Sequence, residues 1–201
     1  MPPDHLVDIF APPAFEPSSD LDQWARSMFI DDGAIMENPE HAHLKPAHIG
    51  WCWTNVPAKR HGRIFLGQCE MPQETAATWG KARGECQLRD WYGVIPDALI
   101  TIYAPRWMLM TDRQAMALIE HELSHAGHAK DEWGQPRFDR KTGQPIYAMR
   151  AHDVEEFVGV VERYGATSPA LATMAESIAA GPLFDDDGIA FACGACSSAA
   201  R

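Results

Sequence analysis

The sequence predicts one α+β domain, and three observations carry that prediction. The 201-residue chain is 46% hydrophobic and 22% charged, which supplies one core of ordinary size and excludes wholesale disorder. Short β-type runs occur at Ile49–Thr54, Arg63–Glu70 and Ala98–Tyr103, too few and too scattered for an all-β fold. Helical spacing of apolar residues recurs at both ends of this β region.

In chain order, residues 1–17 contain Pro2, Pro3, Pro12, Pro13 and Pro17, which remove backbone donors and favour extended chain. This stretch is expected to be an arm, with the domain at 18–181 and a flexible tail at 182–201. Ser18 or Ser19 can cap a first helix whose stripe is Leu21, Trp24, Ala25 and Met28, ending near Asp32-Gly33. The three β runs follow, separated by Pro- and Gly-containing stretches, and predict a small, mostly antiparallel sheet. From Thr111-Asp112 a helix is expected to about Gly127, with Ala115, Ile119, Leu123 and Ala126 on its core side. Residues 137–149 look like a loop or hairpin. Asp153 is expected to open a helix with the stripe Val154, Phe157, Val158 and Val161, and Ser168-Pro169 a last one over Ala170–Ala180. No internal repeat is found.

The net charge of −11 makes nucleic acid and anionic membrane surfaces poor expected partners. The longest uncharged runs, Tyr164–Ala175 and Gly188–Ala200, differ in both length and composition from a membrane helix. Five cysteines do not make a disulfide framework, and a cytoplasmic location is expected. Cys193 and Cys196 form half of a zinc ribbon with no second half; Asp185–Gly188 lacks the Glu that completes a calcium loop. The seven tryptophans, Trp51, Trp53, Trp91 and Trp107 among them, are expected in the core and cleft.

Chemistry concentrates in Ile119-Glu120-His121-Glu122-Leu123-Ser124-His125. A His-Glu-x-x-His pattern on a helix points two imidazoles the same way one turn apart, where both reach one Zn²⁺, with the Glu as base for its water. Chance produces the pattern only about 0.03 times in a chain of this composition. On a wheel the core stripe centres roughly 160° from His121, while His125 lies about 40° from it. Two solvent-exposed histidines would satisfy the same wheel. A catalytic zinc needs a third protein ligand, for which His128, His152, Asp153, Glu155 and Glu156 are the downstream candidates. His128 lies a further turn along the same helix. His152 is preferred to Glu156, because Glu156 suits a capping role three residues after Asp153.

The stretch Ile119–Ala126, followed by His152-Asp153-Val154-Glu155-Glu156-Phe157 and Val161–Gly165, resembles the phage metallopeptidase family. His41-Ala42-His43-Leu44, Ile49-Gly50-Trp51 and Gly62–Gly67 add to the likeness, which spans about residues 19 to 166. The resemblance implies a minimal zincin-like domain with a short sheet against an active-site helix, and peptide or protein as substrate. It puts the metal on His121 and His125, a third ligand within His152–Glu156, and the base on Glu122. Tyr147, Arg150 and Tyr164 are candidate donors to transition-state charge, and either Arg63–Glu70 or Ala98–Tyr103 is expected as the edge strand beside the cleft. Two other readings compete: a zinc-stabilised binding or regulatory module that cleaves nothing, which would need no Glu122, and a protease acting on nucleic-acid-bound protein, which the acidic charge disfavours.

Overall fold

The computed structural model describes residues 1–60, 63–72, 78–154, 158–166 and 168–181. It begins with a helical turn, α1 (Asp4–Val7), and a short strand, β1 (Phe15–Pro17). The Pro-rich segment is therefore not a free arm. Leu6 is fully buried in the core, and β1 pairs antiparallel with the strand β2 (Ile49–Thr54). Pro17 is tolerated because β1 lies at a sheet edge, where a missing N–H costs least. Buried Asn55 fastens the segment, accepting from Ala14 N–H at 2.9 Å and donating to Pro12 O at 3.0 Å.

Ser18 caps α2 (Ser19–Ala25), its hydroxyl accepting from Leu21 N–H. The helix then widens into a π turn over Arg26–Ile30, which rotates Phe29 and Ile30 into the core beyond the expected stripe. A 3₁₀ segment, Pro39–Leu44, leads to β2. Next come β3 (Lys59–Arg60), β4 (Arg63–Ile64) and β5 (Gly67–Glu70). The run expected as one strand at 63–70 is thus broken: β4 pairs with β3, while β5 joins the main sheet. The helix α3 (Thr78–Tyr92) had no counterpart in the sequence reading. Leu88 is its buried residue, so no apolar stripe marks it, and Glu85 sits one turn from both Lys81 and Arg89.

β6 (Ala98–Tyr103) is followed by a short α4 (Ala104–Trp107) and by α5 (Asp112–His125). Thr111 and Gln114 form a reciprocal capping box at the start of α5. The sheet order is β1-β2-β6-β5, with β2 and β6 parallel and the outer pairs antiparallel. β6 is internal, so of the two candidate edge strands only the β5 portion of 63–70 lies at an edge. Trp51, Trp53, Ile100 and Ile102 from the sheet meet Leu118, Ile119 and Leu123 of α5 in one core, with Trp107 edge-on to Trp53 at 5.1 Å.

The chain leaves α5 two residues before the expected end, entering β7 (Ala126–His128), which pairs with β8 (Tyr147–Met149). The described helix beyond is α6 (Val158–Tyr164), while Asp153 and Val154 are not helical and residues 155–157 lie outside the described ones; none of its described residues is buried, and Val158 is 73% exposed. Asp153 is occupied instead by Arg150, whose Nη2 donates to both its carboxylate oxygens. Phe157 falls outside the described residues. α7 (Pro169–Ala180) starts at the Ser168 cap with Pro at its first position, and has no buried residue. No described helix is long and apolar enough to cross a membrane. Cys193, Cys196 and the Asp185–Gly188 stretch lie outside the described residues.

Replacing Leu6 by Ala is expected to lower unfolding free energy by about 2–4 kcal/mol, the range for opening a cavity in a packed core. Denaturant unfolding measures it; a change near zero would mean the N-terminal segment is not part of the cooperative unit.

Candidate metal centre

α5 carries His121 and His125 four residues apart, so their rings meet edge to face on one side of its last turn, centroids 4.9 Å apart. The segment after α5 completes the group. β7 leaves the helix directly and pairs with β8, Ala126 opposite Met149 and His128 opposite Tyr147, which returns the chain to the helix end. There Arg150 and His125 bond twice: Arg150 N–H donates to His125 O at 2.9 Å, and His125 Nδ1 donates to Arg150 O at 2.7 Å. Gly127 permits this approach, since a Cβ there would stand 2.9 Å from Arg150 Cβ. His152 is two residues further along the chain.

The result is a convergence of three imidazoles. His121 Nε2 lies 3.3 Å from His125 Nε2 and 3.5 Å from His152 Nε2, and one ring nitrogen from each of the three lies within 4.8 Å of the others. Four nitrogens around zinc at about 2.0–2.1 Å stand roughly 3.4 Å apart, so this donor set fits such an ion. The proton on His125 Nδ1 leaves its Nε2 as the lone-pair atom. Burial, with added repulsion from His125 and His152, pulls the His121 pKa down to about 4. Burial also lowers that of His125, against the opposing effect of the Arg150 carbonyl. Both shifts favour the neutral ring, the form metal ligation requires.

Glu122 is fully buried and points at the sheet edge, against Gly67 of β5. A Cβ at 67 would stand 2.8 Å from Glu122 Oε1, so only glycine leaves room for the carboxylate. The helix therefore buries both faces, and the wheel's division into a core stripe and an open histidine side is incomplete: His125 is 4% exposed. Gly67 was missed as a site residue, although a glycine inside a β-type run is a sequence signal for close approach.

Other candidates are placed elsewhere. His128 bonds Arg137 O through Nε2 at 2.8 Å and packs against Phe138, outside the cluster. Asp153 is paired with Arg150, and Glu155 and Glu156 lie outside the described residues. Of the suggested charge-stabilising donors, Tyr147 donates to His43 O at 3.0 Å, Arg150 is engaged by Glu40 and Asp153, and Tyr164 is 74% exposed on α6. The 3₁₀ segment buttresses the helix end. Asn38 Nδ2 donates to Glu120 Oε1 at 2.8 Å, and His43 Nε2 lies 2.8 Å from Ala126 O.

Two histidines four apart on a helix with a glutamate between them match a pattern that zinc metallopeptidases carry, and here a third imidazole meets them. The chain belongs to the family described as "Putative phage metallopeptidase", whose model matches residues 19–179. No curated protein and no solved structure matches the chain. The family's description implies a metal cofactor and a peptide or protein substrate, and the three imidazoles could hold a metal.

His41 yields a pH prediction beside this centre. It is 2% exposed, its Nε2 has no hydrogen-bond partner among the described residues, and burial, then His43, pushes its pKa down to about 4. As pH falls from about 6.5 to 4, the unfolded chain takes up a proton there that the folded chain refuses, so folded stability declines over that window. Unfolding of metal-free protein across that range should become less pH-dependent in His41→Leu, by up to about one proton, or about 1.4 kcal/mol per pH unit. An unchanged slope would refute the assignment.

Proposed function

We propose that the chain is a zinc-dependent peptidase of minimal zincin type, with His121, His125 and His152 as ligands and Glu122 as general base. The observation that carries this reading is the meeting of the three ring nitrogens. Zinc, when bound, supplies Lewis acidity and lowers the pKa of a water. Glu122 takes the proton of the attacking water and delivers it to the leaving amine. The His125–Arg150 bridge holds one ligand's tautomer and brings the segment carrying another into range. The outer edge of β5, next to Gly67 and hence to Glu122, is where an extended peptide can add as a strand. Cys52, Cys69 and Cys86 are free thiols, which suits a cytoplasmic enzyme.

Elemental analysis should find about one zinc per chain. Glu122→Gln should keep that zinc and lose hydrolysis of an unfolded protein by at least about 10²-fold. Zinc retention with equal turnover would remove Glu122 as base, and zinc without any hydrolysis in the wild type would favour the non-catalytic module.

The third ligand is tested separately. His152→Ala should weaken zinc binding by at least about tenfold, while Glu156→Ala leaves it within about threefold, both measured against a chelator. The opposite ranking would move the site to two histidines and a glutamate.

A further inference from the structure

Between β7 and β8 the chain builds a projection over residues 129–146 that the chemistry above does not use. Its root is a ring of three backbone bonds: Ala129 N–H to Ile146 O at 2.7 Å, Ile146 N–H to Arg137 O at 3.0 Å, and Arg137 N–H to Ala129 O at 2.9 Å. Two turns rise from this ring on one plan, each opening at an Asp and closing on Gly-Gln-Pro, at 134–136 and at 143–145. Asp131 Oδ1 accepts from Trp133 and Gln135 N–H, and Asp139 Oδ1 from Lys141 and Thr142 N–H. Gly134 and Gly143 take φ of 78° and 72°, which closes the turns. The projection is thus a built element.

Between the turns lies a groove of about 610 Å³, lined by Trp133, Phe138, Arg137, Arg140 and Lys141 among others. Trp133 is 76% exposed and Phe138 53%. Phe138 is held edge-on to His128 at 4.9 Å, so its open face belongs to the groove. None of Arg137, Arg140 and Lys141 makes an ion pair or a side-chain hydrogen bond among the described residues. Residues 129–146 contain four basic and three acidic side chains, a net +1, so the other residues carry −12. Cations without partners beside exposed aromatic faces are thus concentrated where the rest of the chain is acidic.

We propose that this groove docks an acidic segment of the polypeptide substrate, with Arg137, Arg140 and Lys141 meeting its carboxylates and Trp133 and Phe138 its apolar side chains. The proposal rests on the peptidase reading, because the projection springs from the strands that build the metal centre. Four steps of extended chain through β7, about 13 Å, separate Ala129 at the projection's root from His125. Spaced carboxylates fit the groove better than a continuous phosphate chain, since Asp131 and Asp139 also line it and interrupt the positive charge.

The test uses Glu122→Gln protein and fluorescence anisotropy with short labelled peptides of equal length, one rich in Asp and Glu, the other in Asn and Gln, plus a single-stranded oligonucleotide. The acidic peptide should bind at least about tenfold tighter than the neutral one, and weaken as salt rises. Combined Arg137→Gln, Arg140→Gln and Lys141→Gln should erase that preference without changing zinc content or melting temperature. Equal binding of the two peptides, or an acidic preference surviving in the triple variant, would overturn the proposal. Tighter, groove-dependent binding of the oligonucleotide would overturn it in favour of nucleic acid. Hydrolysis of an unfolded protein by the wild type is measured separately. Groove-dependent acidic binding without hydrolysis would uphold the docking preference and overturn the peptidase reading instead.

Discussion

The double bond between His125 and Arg150 is the contact on which the rest of the site depends. A helix by itself can bring two imidazoles to one point, but a third must arrive from elsewhere, after 26 residues that include the whole 129–146 projection. The chain meets that need by leaving α5 straight into β7 and returning through β8, so that Arg150 meets the last helical residue through both N–H and C=O. One contact thereby performs two tasks. It satisfies a carbonyl that the end of α5 would otherwise leave open, and it fixes which nitrogen of His125 carries the proton. The guanidinium of the same residue binds Glu40 from the 3₁₀ segment and Asp153 just past His152. Backbone and side chain of Arg150 thus fix the short stretch that carries the third imidazole.

Glu122 imposes the complementary constraint on the sheet. A buried carboxylate is costly unless its surroundings are arranged for it, and here its space comes from the missing side chain of Gly67. The apolar residues on either side of it in sequence and space, Leu118, Ile119 and Leu123, join the sheet core, which fixes the rotation of α5. Once that rotation is set, Glu122 must face β5, and the histidines must face the returning β8. A sheet edge and a metal-capable cluster come to lie on one helix because α5 packs against both β5 and the returning segment.

Much of this was legible in the sequence because the signals were local. Ile49–Thr54 and Ala98–Tyr103 are strands with the expected bounds, Ser18, Thr111 and Ser168 cap helices where polar residues precede apolar periodicity, and the His-Glu-x-x-His spacing stands on a helix. The family likeness drawn from Ile119–Ala126 and His152–Phe157 agrees with the family to which the chain belongs. The features that were not legible depended on partners far along the chain. Prolines in the first 17 residues signal extended backbone equally well for an arm and for an edge strand, and only the burial of Leu6 and the bonds to Asn55 separate the two. α3 has a solvated surface and so no hydrophobic period to read. Asp153 carries the signature of a helix start, yet Arg150, three residues earlier, takes its carboxylate.

The same architecture separates the parts that could hold a metal from those that can vary. The ring of bonds among Ala129, Arg137 and Ile146 closes the 129–146 projection on itself, so the two turns beyond it have their backbone groups tied locally, through Asp131 and Asp139, and not to the metal centre. Changes at Trp133, Arg140 or Lys141 therefore need not propagate through β7 and β8 to His125 or His152. Residues inside the ring's base have no such freedom: Gly127 lies against Arg150, and His128 bonds the carbonyl of Arg137. Chemistry that tolerates little displacement is held by the sheet, α5 and the Arg150 junction, while recognition is placed on a self-contained extension of the strands that assemble it.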